Sequence, residues 1–169
     1  HGRPIGTLGD YKNNTGSSTL FGAYRIILDK LNVLNEDAKI ILITPMQRGD
    51  FVYINDMKNN AYGSYKEKNG QNLSQLASAL VELAMHEELE VVDLYNASGI
   101  PQENMVKFKR LKDPTTGEYS NYSYPDYIGI PFNPETDNYP YPPEAIDMTY
   151  DGLHPSDKGY EVIASMLLE

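Results

Sequence analysis

Two kinds of hydrophobic pattern alternate along the chain. Leu20, Tyr24, Ile27, Leu28 and Leu31 recur at three- and four-residue intervals, which puts them on one helical face, with Ser18 or Thr19 ahead as N-cap. Lys39-Ile40-Ile41-Leu42-Ile43-Thr44, closed by Pro45, is short, apolar and β-branched. That pattern predicts a strand buried on both faces of a parallel sheet. A second helical face follows at Leu73, Leu76, Ala77, Leu80, Leu83 and Ala84, then a second strand at Glu90-Val91-Val92-Asp93-Leu94-Tyr95. Tyr160, Ile163, Ala164 and Leu167 predict a last helix, with Ser156 as N-cap. Helix, strand, helix, strand at this spacing predicts βαβ crossovers and an α/β layered fold.

Between these elements the pattern weakens. His1 to Ser18 reads as loop, and Arg48 to Gly70 is polar and turn-rich. From Pro101 to Ile146 no period holds; Asp113-Pro114-Thr115-Thr116-Gly117 is followed by Tyr119, Tyr122, Tyr124, Tyr127, Tyr139 and Tyr141 among repeated prolines. A structureless stretch this long inside a compact domain is unusual. It reads either as a surface excursion whose tyrosines pack on the domain, or as a tyrosine-lined wall for a sugar or polymer.

Composition narrows the function classes. The 169 residues are one domain's worth, and 40% hydrophobic with 22% charged content is that of a globular protein. A net charge of -10 disfavours nucleic acid, whose phosphates require clustered Lys and Arg. No apolar run approaches the roughly 20 residues that span a bilayer, so no membrane partner is expected. With no cysteine, disulfides, thiolate catalysis and Cys-type zinc sites are excluded. No cofactor is expected.

Candidate chemistry concentrates near the C-terminus. Asp151-Gly152-Leu153-His154-Pro155 sets a carboxylate three residues before an imidazole, just ahead of the last helix. One carboxylate holding one imidazole in a fixed tautomer is what a general base serving a nucleophile needs. The same spacing also suits a helix-entry turn in which Asp151 only satisfies nearby backbone donors. The chain has three histidines (His1, His86 and His154), and His154 is the one with a carboxylate partner at this short range. His86, near a helix end, reads as solvated or favourable with the helix dipole. Gln47 and Arg48 follow a strand end, where open α/β sheets place ligand contacts, so a substrate-rim role is expected. Asp50, Asp56 and Asp93 lack a metal-ligand spacing; Asp126, Glu135 and Asp137 could bind calcium, though scattered carboxylates usually bind nothing. No metal is expected.

The block Asp151-Gly152-Leu153-His154-Pro155, continued by Ser156-Asp157-Lys158-Gly159-Tyr160, resembles the last sequence block of the SGNH (GDSL-type) hydrolases. Ile43-Thr44-Pro45-Met46-Gln47-Arg48 is similar to that family's strand and following loop, and Val91-Val92-Asp93-Leu94-Tyr95 to its next strand. The resemblance implies a flavodoxin-like, three-layer α/β/α domain with a parallel sheet, and hydrolysis of O-acyl esters, often on carbohydrate. It implies that Asp151 is the orienting carboxylate and His154 the general base of a Ser-His-Asp triad. The family's N-terminal Gly-Asp-Ser block and its Gly-x-Asn-Asp block have no counterpart here. Of Ser17, Ser18, Ser64, Ser74, Ser78 and Ser98, none follows Gly-Asp at a strand end.

The opening His1-Gly2-Arg3-Pro4-Ile5-Gly6-Thr7-Leu8-Gly9-Asp10 resembles the segment after the Gly-x-Asn-Asp block. Residues 1–169 are therefore expected to be the C-terminal portion of a single SGNH domain with a Tyr/Pro-rich insertion at about 101–146, inactive alone. The expected partners are an ester or acetylated glycan substrate and the missing N-terminal half, from the same precursor or another chain. The expected setting is extracellular or virion-associated. An alternative from a different class is a non-catalytic carbohydrate- or cell-wall-binding module, such as a phage-tail component on an SGNH scaffold.

Overall fold

The computed structural model of the protein describes residues 7–49, 51–52, 60–61 and 71–168. In chain order these form α1 (Leu20–Leu34), β1 (Ile41–Ile43), β2 (Phe51–Val52), β3 (Asn60–Ala61), α2 (Leu73–His86), β4 (Glu90–Val92), α3 (Leu94–Ala97), β5 (Lys109–Lys112), β6 (Tyr119–Tyr122) and α4 (Asp157–Leu168). No helix among the described residues is long and apolar enough to cross a membrane. The chain divides into two compact units, one from His1–Pro45 with Glu67–Tyr95, the other from Met46–Lys66 with Asn96–Glu169.

The first unit is α/β. The Thr19 hydroxyl accepts from the Gly22 N–H at 3.2 Å and so caps α1. α2 opens with a reciprocal box: Asn72 Oδ1 accepts from the Gln75 N–H at 3.0 Å, and Gln75 Oε1 from the Asn72 N–H at 2.9 Å. β1 and β4 run parallel, Leu42 opposite Val91, and α2 is the crossover between them. Phe21, Leu42, Ala79, Leu80, Leu83 and Ala84 form the core. Burying a leucine such as Leu83, which is fully enclosed, contributes roughly 1.5–3 kcal/mol.

Three expectations shift here. β1 is shorter than Lys39–Thr44 and is covered on one face: Leu42 is buried while Ile43 is 44% exposed. On α1 the enclosed residues are Phe21, Gly22 and Leu28, whereas Ile27 and Leu31 are exposed. β4 stops at Val92 because Leu94–Ala97 turns helical. The buried Thr44 hydroxyl fixes that change of direction. It donates to Asp93 Oδ1 at 3.0 Å and accepts from the Tyr95 N–H at 3.0 Å. Thr44→Val keeps the shape and deletes both bonds, so urea unfolding should show a loss of about 1–3 kcal/mol; an unchanged midpoint would refute this role.

The second unit corrects the reading of residues 101–146 as structureless. β5 and β6 pair antiparallel, Lys109 opposite Tyr122 and Lys112 opposite Tyr119. Asp113 closes the turn by accepting from the Thr115 N–H at 2.7 Å and the Thr116 N–H at 2.9 Å. Those main-chain bonds, Thr116's foremost, hold the Asp113 carboxyl below its ordinary value. The segment also has a core of its own, Val106, Leu111, Tyr127, Phe132 and Tyr141. The hairpin escapes a hydrophobicity pattern because one inward position of β5 is a lysine. Lys109 is 3% exposed, its ammonium 4.2 Å from the Tyr127 ring centre and 5.6 Å from that of Tyr141.

α4 forms where expected, and the Ser156 hydroxyl accepts from the Gly159 N–H at 3.3 Å. Its covered stripe is Gly159, Val162, Ile163 and Met166, while Tyr160, Ala164 and Leu167 lie outward. Gly159 is the cause. Lacking a side chain, it lets the helix sit against the Met148 carbonyl.

Candidate active site

The segment after Ile146 is folded by main-chain bonds to the strand-like stretch at Met105. Thr149, wholly buried, donates its N–H to the Met105 carbonyl at 2.8 Å and its hydroxyl to the same oxygen at 2.6 Å. The Thr149 hydroxyl in turn accepts from the Gly152 N–H at 2.8 Å. The Tyr150 N–H donates to the His154 carbonyl at 2.9 Å and closes a five-residue loop. Gly152 takes φ +89 inside it, a conformation that carries no penalty without a Cβ.

Within that loop the two oxygens of Asp151 do separate jobs. Oδ1 accepts from the Leu153 N–H at 3.0 Å and the His154 N–H at 2.8 Å. Oδ2 lies 2.7 Å from His154 Nδ1. The carboxylate is therefore fixed by backbone before it meets the ring, and the ring cannot turn without losing its partner. The side chain of Asp151 is 19% exposed and that of His154 60% exposed. The carboxylate is sheltered and the imidazole open to solvent, which is the asymmetry a base working on an external proton needs.

Gln47 and Arg48, both half-buried, are brought to this segment by main chain: the next residue, Gly49, donates its N–H to the Gly152 carbonyl at 2.9 Å. A Cβ at Gly49 would lie 3.4 Å from Met105 Cβ and 3.6 Å from the Tyr127 hydroxyl. The electrostatic link of Tyr139 to Asp151 was missed by sequence reasoning, which named Tyr139 only among the tyrosines of a packing surface or a wall for a sugar or polymer. The Tyr139 hydroxyl is raised above its ordinary value, first by desolvation and then by the negative charge of Asp151. Thr149 was missed as well; a threonine in a polar turn gives no periodic signal, and its role exists only once Met105 is in place.

Other sequence candidates have partners of their own. His86 stacks on Tyr11 with ring centres 4.1 Å apart and lies 3.7 Å from Glu82 Oε1. Asp93 accepts from Thr44. Asp137 accepts from the Asn133 N–H at 2.8 Å, a local turn, and no metal-holding group of three His, Asp or Glu occurs among the described residues. His1, Asp50, Asp56 and Ser64 lie outside the described residues.

The start of α4 braces the loop. Ser156 donates its N–H to the Met148 carbonyl at 3.0 Å, and that same carbonyl faces Gly159. Gly159→Ala would drive a methyl into it. We expect a loss of about 1–3 kcal/mol in thermal or urea unfolding, with shifted amide resonances at Met148 and His154; wild-type stability and spectra would contradict the close approach.

No family model and no curated protein matches the chain. Among solved structures it is similar to a possible lipase from Chitinophaga pinensis DSM 2588, at 57% identity and TM-score 0.88, over 98% of this chain and 65% of that one. A second solved structure is 21% identical with TM-score 0.57, over 97% of this chain and 54% of that one. A protein from Lactobacillus plantarum is 17% identical with TM-score 0.57, over 96% of this chain and 57% of that one. The last two likenesses show the fold alone. In each case the chain spans less than two thirds of the similar protein.

Proposed function

We propose that the protein hydrolyses O-acyl esters, most aptly those of carbohydrates, through a serine triad of the SGNH type on a three-layer α/β/α domain. The observation that carries this reading is the 2.7 Å contact between Asp151 and an imidazole left open to solvent. The similarity to a possible lipase supports ester chemistry at the coarser level.

In this reading a serine hydroxyl gives its proton to His154 Nε2 while its oxygen bonds to the ester carbonyl carbon. Nδ1–H stays on Asp151, which stabilises the imidazolium. Collapse of the tetrahedral intermediate breaks the bond to the leaving alcohol, and His154 returns the proton to that oxygen. Water then repeats the sequence and frees the carboxylic acid. Gln47 and Arg48 serve at the substrate rim.

The serine and oxyanion donors come from a further segment of the same polypeptide or from another chain. The hydroxyls of Ser74, Ser123, Ser156 and Ser165 donate to Asn72 Oδ1 and to the carbonyls of Lys107, Asp147 and Glu161. About a third of the similar Chitinophaga chain lies beyond the matched part. Loss of a single oxyanion donor costs a serine hydrolase roughly 2.7–4 kcal/mol of transition-state stabilisation; with the nucleophile also supplied from elsewhere, residues 1–169 alone should be inactive.

The test is to treat the whole polypeptide carrying this chain with paraoxon while following acetyl-ester turnover. Turnover should stop as one serine outside 1–169 gains a diethylphosphoryl group. Turnover of no ester, or turnover indifferent to paraoxon, would overturn the proposal.

A further inference from the structure

We propose that the groove between the 143–147 turn and the start of α4 binds an uncharged saccharide unit, as a site separate from the Asp151–His154 pair. The binding stands by itself; only its benefit to a sugar ester rests on the hydrolase reading.

The groove holds about 510 Å³, and its lining includes Lys107, Ile146, Asp147, Tyr150, Asp157 and Lys158. That volume lies within the roughly 300–1,000 Å³ of ordinary small-molecule sites. Its walls are joined by main chain. Val106 bridges Ile146 antiparallel, and the Lys107 N–H donates to the Ala145 carbonyl at 2.8 Å. The buried Ser156, also in the lining, donates its hydroxyl to the Asp147 carbonyl at 2.5 Å and so ties α4 to the turn. A groove framed this way loses little conformational freedom when it is filled.

The polar side chains are held in place before any ligand arrives. Lys158 Nζ donates to Asp147 Oδ1 at 2.7 Å, and the Tyr150 hydroxyl donates to Asp157 Oδ1 at 3.0 Å. Both carboxylates are engaged through Oδ1, which leaves each Oδ2 able to accept. The Tyr150 ring is part-exposed and shares the lining with the aliphatic Ile146 and Pro143. A pyranose presents C–H groups on its face and hydroxyls at its edge. The ring and aliphatic groups suit the first, the carboxylates and lysines the second.

The lining disfavours other ligand classes. Lys107 and Lys158 balance Asp147 and Asp157, so an ionic ligand would compete with the Asp147–Lys158 pair, whereas a hydroxyl bridges it intact. The net charge of -10 further disfavours an anion. A divalent cation wants several oxygen ligands together, and no metal-holding group of three occurs among the described residues. The same four ionised side chains leave no continuous aliphatic channel for an acyl chain. The groove also adjoins the acid–base loop without containing its chemistry. Tyr150 precedes Asp151 and donates its N–H to the His154 carbonyl, while Asp151 and His154 lie outside the lining. A sugar held there anchors its chain beside the loop.

The experiment has two arms on the whole polypeptide. In the first, xylohexaose, cellohexaose and chitohexaose are titrated by calorimetry and followed by amide chemical shifts. At least one should bind saturably, with its largest shifts at Lys107, Asp147, Tyr150 and Asp157, and with Kd raised about tenfold by Tyr150→Ala. No binding by any of the three, shifts centred away from those residues, or an unchanged Kd in a folded Tyr150→Ala overturns the groove. Tighter binding of an oligogalacturonate of equal length overturns the uncharged ligand. The second arm compares kcat/KM for acetylated xylohexaose with that for ethyl acetate. This ratio should fall about tenfold in Tyr150→Ala through KM; an unchanged ratio overturns the benefit to the ester. A wild-type protein that binds sugar at the groove but turns over neither ester would sink the hydrolase reading alone.

Discussion

His154→Ala is expected to lower kcat for ester hydrolysis by about 10⁴–10⁶-fold while leaving KM nearly unchanged. The size follows from the role. A serine hydroxyl without a base has no acceptor for its proton, and the leaving alcohol has no donor. Because those steps belong to the transition state, their loss appears in kcat and not in ground-state binding. The fold should survive, since the imidazole side chain is 60% exposed and its removal opens no cavity. Stability should change by only about 0.5 kcal/mol. The measurement is steady-state hydrolysis of an acetyl ester by the whole polypeptide, with thermal unfolding beside it. Turnover within tenfold of wild type in a folded variant would remove His154 from the chemistry.

α2 was legible because Leu80, Leu83 and Ala84 fall at helical intervals and all are buried in one cluster. The parallel strands were legible as β-branched runs, but their ends were not. β4 ends where a hydroxyl fifty residues away, on Thr44, captures the Tyr95 N–H, and a tertiary bond of that kind leaves no local mark. Residues 101–146 were misread for a different reason. Their core mixes Val106, Leu111 and Phe132 with two tyrosines and a buried lysine that an apolar pattern does not count as interior, and the cation–π contacts of Lys109 make its burial tolerable. α4 was placed correctly but rotated, because the residue that seats it, Gly159, is invisible to a search for large apolar side chains.

The Asp151–His154 spacing admits two readings, a backbone-capping turn and a carboxylate paired with an imidazole, and one carboxylate makes the contacts of both. Oδ1 serves the turn and Oδ2 serves the ring. The cap is what fixes the acid, so a short stretch of loop holds the pair without help from a distant strand. By contrast, nothing in the sequence tied Tyr139 to Asp151.

That division of labour makes Asp151→Asn the second decisive variant, with an expected fall in kcat of about 10⁴-fold and little change in stability. The amide oxygen can take the place of Oδ1 and keep accepting from the Leu153 and His154 N–H groups. Its NH₂ then faces His154 Nδ1, which must become an acceptor. The ring proton moves to Nε2, the nitrogen that has to receive the serine proton, and the base is switched off in an intact loop. Asp151→Ala should differ. It frees the ring but also deletes the two backbone bonds, and should lower stability by about 1–3 kcal/mol as well. Kinetics on both variants, with ¹⁵N chemical shifts of the His154 ring to report its tautomer, separate the two functions. If Asp151→Asn keeps wild-type turnover with the proton on Nε2, Asp151 does no more than cap its own turn.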